Sequence, residues 1–213
     1  MNRRDFHDAW KRVAPGITFS LPACVSELSA VVRPDARLIE IGCGYGRVCR
    51  ELCDHGFVNV TGYDSSAAMI GRGRLEFPEL VLRHCSGTPL PERDGGADAV
   101  VCCALLTSVP DPEERRMIVR ECHRLLRPGG VLHLIEFTRG GNRVYEADGS
   151  FQSGLGIRMV HLSPDQLMEE VDLFHTLSFK LIECRSVSGS AENAILYQGR
   201  KTADGMAREA DAP

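Results

Sequence analysis

The stretch Leu38-Ile39-Glu40-Ile41-Gly42-Cys43-Gly44-Tyr45-Gly46-Arg47 decides the fold. A short apolar run carries one acid, Glu40, and leads straight into three glycines at alternate positions. A helix-like segment begins directly after. Glycines so placed let the backbone turn sharply at the end of a strand and approach a ligand with no side chain between. The local reading is strand, tight turn, helix.

Two cofactor types fit such a turn. A dinucleotide site uses G-x-G-x-x-G, with its pyrophosphate on the helix N-terminus. Here the third glycine arrives one residue early, and Arg47 stands where the dinucleotide pattern has it. Glu40 is poorly placed for a polyphosphate and suits a ligand with a cationic end, because an opposite charge nearby favours the charged form. S-adenosylmethionine has such an end: an α-ammonium beside a sulfonium, and no phosphate. A tight turn without any ligand is the plain structural alternative.

Working outward, the same unit repeats. Strands are expected at about 37–41, 58–63, 80–84, 98–103 and 131–137, with helices at about 46–54, 66–75 and 112–126 between them. Pro112, Glu113 and Glu114 mark a helix start, and Pro128-Gly129-Gly130 a stop. Strands separated by helices imply right-handed crossovers and a mainly parallel sheet with helices on both faces. Ligands on such sheets sit at the carboxyl ends of the strands, where Glu40, Asp64, Cys103 and Glu136 fall. Two helices are expected before the first strand, over 2–14 and from about Ser20 to the Pro34-Asp35 break. An irregular stretch over 138–162 precedes a helix at about 163–171, opened by Ser163-Pro164-Asp165. Two β segments, 179–187 and 193–200, joined at Ser188-Gly189-Ser190, read as an antiparallel hairpin, and 202–213 as a tail.

At 213 residues the chain reads as one domain, over 1–201. A net charge of −4 argues against nucleic acid or an anionic membrane surface as a partner. No apolar segment approaches spanning length, and no apolar region follows the N-terminal arginines as a secretory signal requires. Nine scattered cysteines, an odd number, point to free thiols in a reducing compartment, hence the cytoplasm.

Four segments together resemble a known family. Ile39–Arg47 (IEIGCGYGR), Thr61–Ser66 (TGYDSS), Asp98–Val109 (DAVVCCALLTSV) and Leu125–Phe137 (LLRPGGVLHLIEF) stand in the order and spacing of small class I S-adenosylmethionine-dependent methyltransferases. The resemblance implies a Rossmann-like, doubly wound α/β fold: seven strands, mainly parallel, with a C-terminal antiparallel hairpin that dinucleotide dehydrogenases lack. It divides the chain into N-terminal helices or lid (1–36), cofactor core (37–137), substrate lid (138–162), and terminal helix and hairpin (163–201). It implies methyl transfer by in-line displacement to a small-molecule acceptor, with S-adenosylhomocysteine as product and the enzyme a monomer or homodimer.

By the resemblance, Glu40 faces the methionine amino group, and Gly42, Cys43, Gly44 and Gly46 form the turn beneath the cofactor. Asp64 takes both ribose hydroxyls; its two acceptor oxygens match the two donors of a diol. That spacing from the turn serves NAD equally. Ser65 follows it, and Met69 packs on the adenine. One departure stands out: where many relatives place an acid four residues before Leu-Pro, this chain has Ser86, then Gly87 and Thr88. A hydroxyl or backbone group replaces the acid there, which implies weaker cofactor affinity. Cys103 lines the methionine portion or serves, less naturally, as a nucleophile. His161 and Tyr145, flanking the irregular segment, are candidate general bases or acceptor-orienting groups, with ordinary loop residues as the alternative.

Other residues have structural readings. Asp98 lies at the wrong end of its strand for chemistry, and His133 sits mid-strand. Cys49, Cys53 and His55 make half a metal site at most, so no metal is expected. Phe6 and Trp10 cap a pocket or pack in a core. Competing functions are a nicotinamide-dependent oxidoreductase and a non-catalytic S-adenosylmethionine-binding module.

Overall fold

The computed structural model of the protein describes residues 3–140, 143–186 and 189–202, with side chains from residue 8 onward. The side chain of Phe6, Ser188 of the expected hairpin turn, and residues 203–213 of the expected tail lie outside the described residues.

Helix α1 (Arg3–Val13) and a short α2 (Val25–Ser29) precede the sheet. The alternation then runs β1 (Arg37–Ile41), α3 (Arg47–Asp54), β2 (Asn59–Asp64), α4 (Ala67–Glu76), β3 (Val81–His84), β4 (Ala97–Cys103), α5 (Pro112–Leu125) and β5 (Leu126–Thr138). A small hairpin, β6 (Ser150–Gln152) with β7 (Arg158–Val160), leads to α6 (Pro164–Glu170), β8 (His175–Arg185) and β9 (Ala191–Arg200).

Seven strands form one sheet in the order β3-β2-β1-β4-β5-β9-β8. The first five are parallel, and β9 runs antiparallel to both its neighbours. The direction of winding reverses between β1 and β4, so a crevice opens at their carboxyl ends. Alternate residues serve two separate cores, as the strand period requires. Ile39, Val100, Leu132 and Leu134 face one helix layer, while Leu38, Ala99, Val101 and Val131 face the other. Among the described residues no helix is long and apolar enough to cross a membrane.

Three departures from the sequence reading have physical causes. The second helix covers only five residues instead of starting near Ser20. The carbonyls of Leu21 and Ala23 instead accept hydrogen bonds from Arg47 Nη2 (2.7 Å) and His133 Nε2 (2.9 Å), which ties this segment to the turn and to β5. Pro128-Gly129-Gly130 does not separate α5 from its strand. β5 begins at Leu126, which pairs with Ala97, and the two glycines exchange hydrogen bonds with Lys201. The irregular 138–162 stretch contains the β6–β7 hairpin, and Thr138 bridges to Leu162 at its base.

Candidate active site

The glycine turn is built by backbone hydrogen bonds across the crevice. Gly42 and Cys43 both donate to the Tyr63 carbonyl, at 2.8 and 3.0 Å. Gly44 N donates to Asp64 Oδ2 at 2.8 Å, and Ser66 N donates to Asp64 Oδ1 at 2.7 Å. Asp64 therefore clamps the two turns that follow β1 and β2. At Gly44, φ is +56° and an added Cβ would lie 3.1 Å from the Phe19 ring, so a side chain there would be strained and crowded.

Glu40 is 2% exposed, and burial pushes its carboxyl up to about 7. The Cys49 thiol donates to its Oε2 at 2.9 Å. Cys49 thus serves this carboxylate. A buried carboxylate facing a cavity is relieved by a cation. That is the fit to the ammonium end of S-adenosylmethionine; Asp64 supplies the fit to its ribose.

Both acids open into one cavity of about 810 Å³, within the range of small-molecule sites. Gly42, Cys43, Gly44, Ser65, Met69, Gly87 and Thr88 line the cavity with them, as does Cys103. Two expected cofactor residues stand apart. Gly46 caps α3 and faces Leu80 and Leu82 rather than the cavity, and Ser86 is not among the lining residues although its neighbours are. Arg47 lines the cavity and donates to Glu51 and to Leu21 O.

At the far end, aromatic rings form a box. The His161 ring stacks on Phe137 (centroids 5.4 Å, 15°) and meets Phe151 edge-on (4.7 Å, 77°). Tyr145 hydrogen-bonds His161 Nδ1 at 2.9 Å without lining the cavity itself. His161 is 3% exposed, and burial together with the charge of Arg143 holds its imidazole down to about 3, so it is neutral. Burial raises the Tyr145 phenol. Burial also raises the Cys103 thiol, so Cys103 lines the cavity as a thiol and is a poor nucleophile. The guanidinium carbon of Arg143 lies 4.4 Å from the Phe151 centroid, and Arg143 is paired with the buried Glu192. Trp10, Ile17 and Phe19 close the N-terminal side. Arg72 fastens that segment, donating to Ala14 O and Ile17 O at 3.0 and 2.6 Å.

Three residues placed elsewhere support the crevice. Glu136 accepts from Leu106 N (2.8 Å) and Thr107 N (2.9 Å), fixing the short 3-10 turn after β4. His133, held down to about 4 by burial, bonds Ala23 O and Gln198. Asp98 accepts from Arg37 N (2.8 Å) and Arg127 at the opposite edge of the sheet. Sequence reasoning missed Arg143, Phe151 and Glu192. They are separated by many residues and meet only through the hairpin and β9; the one signal was that 138–162 is long for a loop.

The sheet order with its antiparallel end, together with the acid-flanked glycine turn, defines a class I methyltransferase fold and cofactor crevice. The sequence model of the family described as a methyltransferase domain matches residues 39–134. Ubiquinone biosynthesis O-methyltransferase of Pseudomonas aeruginosa is 33% identical over 108 residues, 48% of this chain and 45% of that protein. The chain spans about half the length of the curated relatives it matches. A solved S-adenosylmethionine-dependent methyltransferase of Methanosarcina mazei superposes with TM-score 0.77 at 24% identity, covering 84% of this chain and 98% of that one. The 1,6-didemethyltoxoflavin-N1-methyltransferase of Burkholderia thailandensis, solved with its acceptor and S-adenosylhomocysteine, gives 0.65 at 16% identity, covering 94% and 87%. Residues 39–134 thus match the methyltransferase-domain family, and the fold of the chain is that of S-adenosylmethionine-dependent methyltransferases.

Proposed function

We propose that this chain transfers the methyl group of S-adenosylmethionine to a small-molecule acceptor by in-line displacement. The observation that carries the reading is one continuous cavity joining the Glu40–Asp64 end to the aromatic box. The bound cofactor supplies an activated methyl on a sulfonium. Asp64 holds the ribose, Glu40 the ammonium, and the turn at Gly42–Gly44 the backbone approach, with Met69 against the adenine. Gly87 and Thr88, which line the cavity beside Ser86, meet the adenine in place of the family's acid. The protein's contribution is proximity and alignment of the acceptor with that methyl. His161, oriented by Tyr145, acts as a neutral hydrogen-bonding group. In this reading the lid, residues 1–20 with 138–162, excludes water and selects the acceptor. The relatives named above act, by their names, in ubiquinone biosynthesis and on didemethyltoxoflavin, which supports a small acceptor.

Calorimetric titration with S-adenosylhomocysteine and a tritiated-methyl transfer screen against metabolite fractions test this. Binding and labelling are expected for the native chain and not for Asp64→Ala. Equal labelling by the variant overturns the assignment.

A further inference from the structure

Two arginines line the cavity, and they differ in what they are free to do. Arg47 is committed to Glu51 and the Leu21 carbonyl. Arg143, at the aromatic end, engages Glu192 through Nη2 alone; the Nε of both arginines is enclosed without a hydrogen bond, so it is the Nη groups that distinguish them. A guanidinium presents its terminal donors as a planar fork suited to an oxyanion. The surroundings of Arg143 are flat and apolar: Phe151 beneath it, then His161 and Phe137 stacked beyond. Among the described residues around His161, no side chain is a ready proton acceptor. His161 is a weak base, Tyr145 and Cys103 stay protonated, and Glu192 already binds Arg143. Glu114, on the first turn of α5, also lines the cavity and is already engaged with a partner.

We infer that the acceptor is an aromatic compound whose hydroxyl is bound by Arg143 as its oxide, and that it takes the methyl group with no protein base. The inference rests on the methyltransferase reading above. The hydroxyl proton leaves to solvent as the oxide binds. A lone pair of the oxide then forms the O–CH₃ bond while the S–CH₃ bond breaks, its electron pair remaining on sulfur. A cation beside the oxygen favours its charged form. His161 positions the ring and takes no proton.

The probes are 4-nitrophenol and 4-nitro-1-naphthol, whose oxides absorb at longer wavelength than their neutral forms. They are titrated into the full chain with S-adenosylhomocysteine present. The bound probe is expected to be ionised, with its pKa lowered by at least about one unit, a tenfold shift in ionisation. Arg143→Gln should abolish the shift, Arg143→Lys should keep most of it, and Glu192→Gln should enlarge it by releasing the guanidinium. His161→Asn should weaken binding and leave the shift in place. The inference is overturned if the probes bind as neutral phenols or not at all. It is equally overturned if 4-nitroaniline binds more tightly than either oxide, or if Arg143→Gln keeps the shift. Calorimetry separates the two readings: no heat from S-adenosylhomocysteine strikes the methyltransferase assignment, whereas its binding beside unshifted probes strikes this inference alone.

Discussion

At the cofactor end of the cavity, the groups that matter lie within a few residues of two strand ends and are locked by main-chain hydrogen bonds: Gly44 N to Asp64, and Gly42 N and Cys43 N to Tyr63 O. At the other end, His161, Phe151, Phe137, Arg143 and Glu192 come from three separate segments and meet through side chains alone. One end is specified by local pattern and tolerates little change. The other is specified by packing and can be varied to suit different acceptors on the same fold.

The sharpest way to break that division is a pair of substitutions. Asp64→Ala removes the clamp and, on the proposed function, both ribose acceptors. Charge-assisted hydrogen bonds contribute about 1.5–3 kcal/mol each, so S-adenosylhomocysteine affinity should fall at least about 100-fold by calorimetry. Phe151→Ala should leave it within about threefold. Comparable losses in both variants would show that the two ends are not separable.

Next in size is Gly73→Ala in α4. Its Cβ would stand 2.5 Å from the Tyr45 carbonyl oxygen and 2.9 Å from its carbon, which are backbone atoms of the glycine turn and cannot swing aside. Overpacking of this kind destabilises by about 1–3 kcal/mol, measurable as a lower urea midpoint.

The pH dependence of cofactor binding sharpens the contrast at Glu40. Its carboxyl sits near 7 in the free protein, and a cationic ligand favours the ionised form, so the bound state holds fewer protons than the free. Affinity should therefore rise as pH rises toward 7 and level off above it, with binding at pH 6 about tenfold weaker than at pH 8. Glu40→Gln should flatten the profile and His161→Asn should not. The sign for folding is opposite. Glu40 and Glu136, both raised to about 7 by burial, keep protons that the unfolded chain loses from its ordinary 4.5 upward. Their contribution to stability thus declines as pH rises from 4.5 to 7 and is constant beyond.

The smallest effect comes from Gly71→Ala in the same helix. Nothing lies within 4 Å of the added Cβ, so ordinary helix propensity should stabilise the chain by up to about 1 kcal/mol in urea. Two glycines, Gly71 and Gly73, that look alike as helix breakers in the sequence thus carry opposite signs, because one faces solvent and the other the turn.

The parallel alternation was legible for the same reason as the cofactor end: strand periodicity, glycine placement and helix caps act over short stretches. The Ser163 cap is an example, its hydroxyl accepting from Gln166 N at 3.2 Å where Ser-Pro-Asp signalled a helix start. Where the reading failed, a distant partner intervened. The segment from Ser20 to Cys24 carries helix-compatible residues, yet its carbonyls are drawn to Arg47 and His133. His161 has the ordinary pKa of a base in sequence, and burial beside the charge of Arg143 pulls it down to about 3.

By itself, then, the sequence determined a βα sheet, its glycine turn and the acids beside it, since these depend on neighbours a few residues apart. Tertiary structure alone decided that Arg143, Phe151, His161 and Glu192 share a wall, that Gly46 serves packing, and that His161 is neutral. Those outcomes depend on desolvation and on contacts between residues tens of positions apart, which no local pattern records.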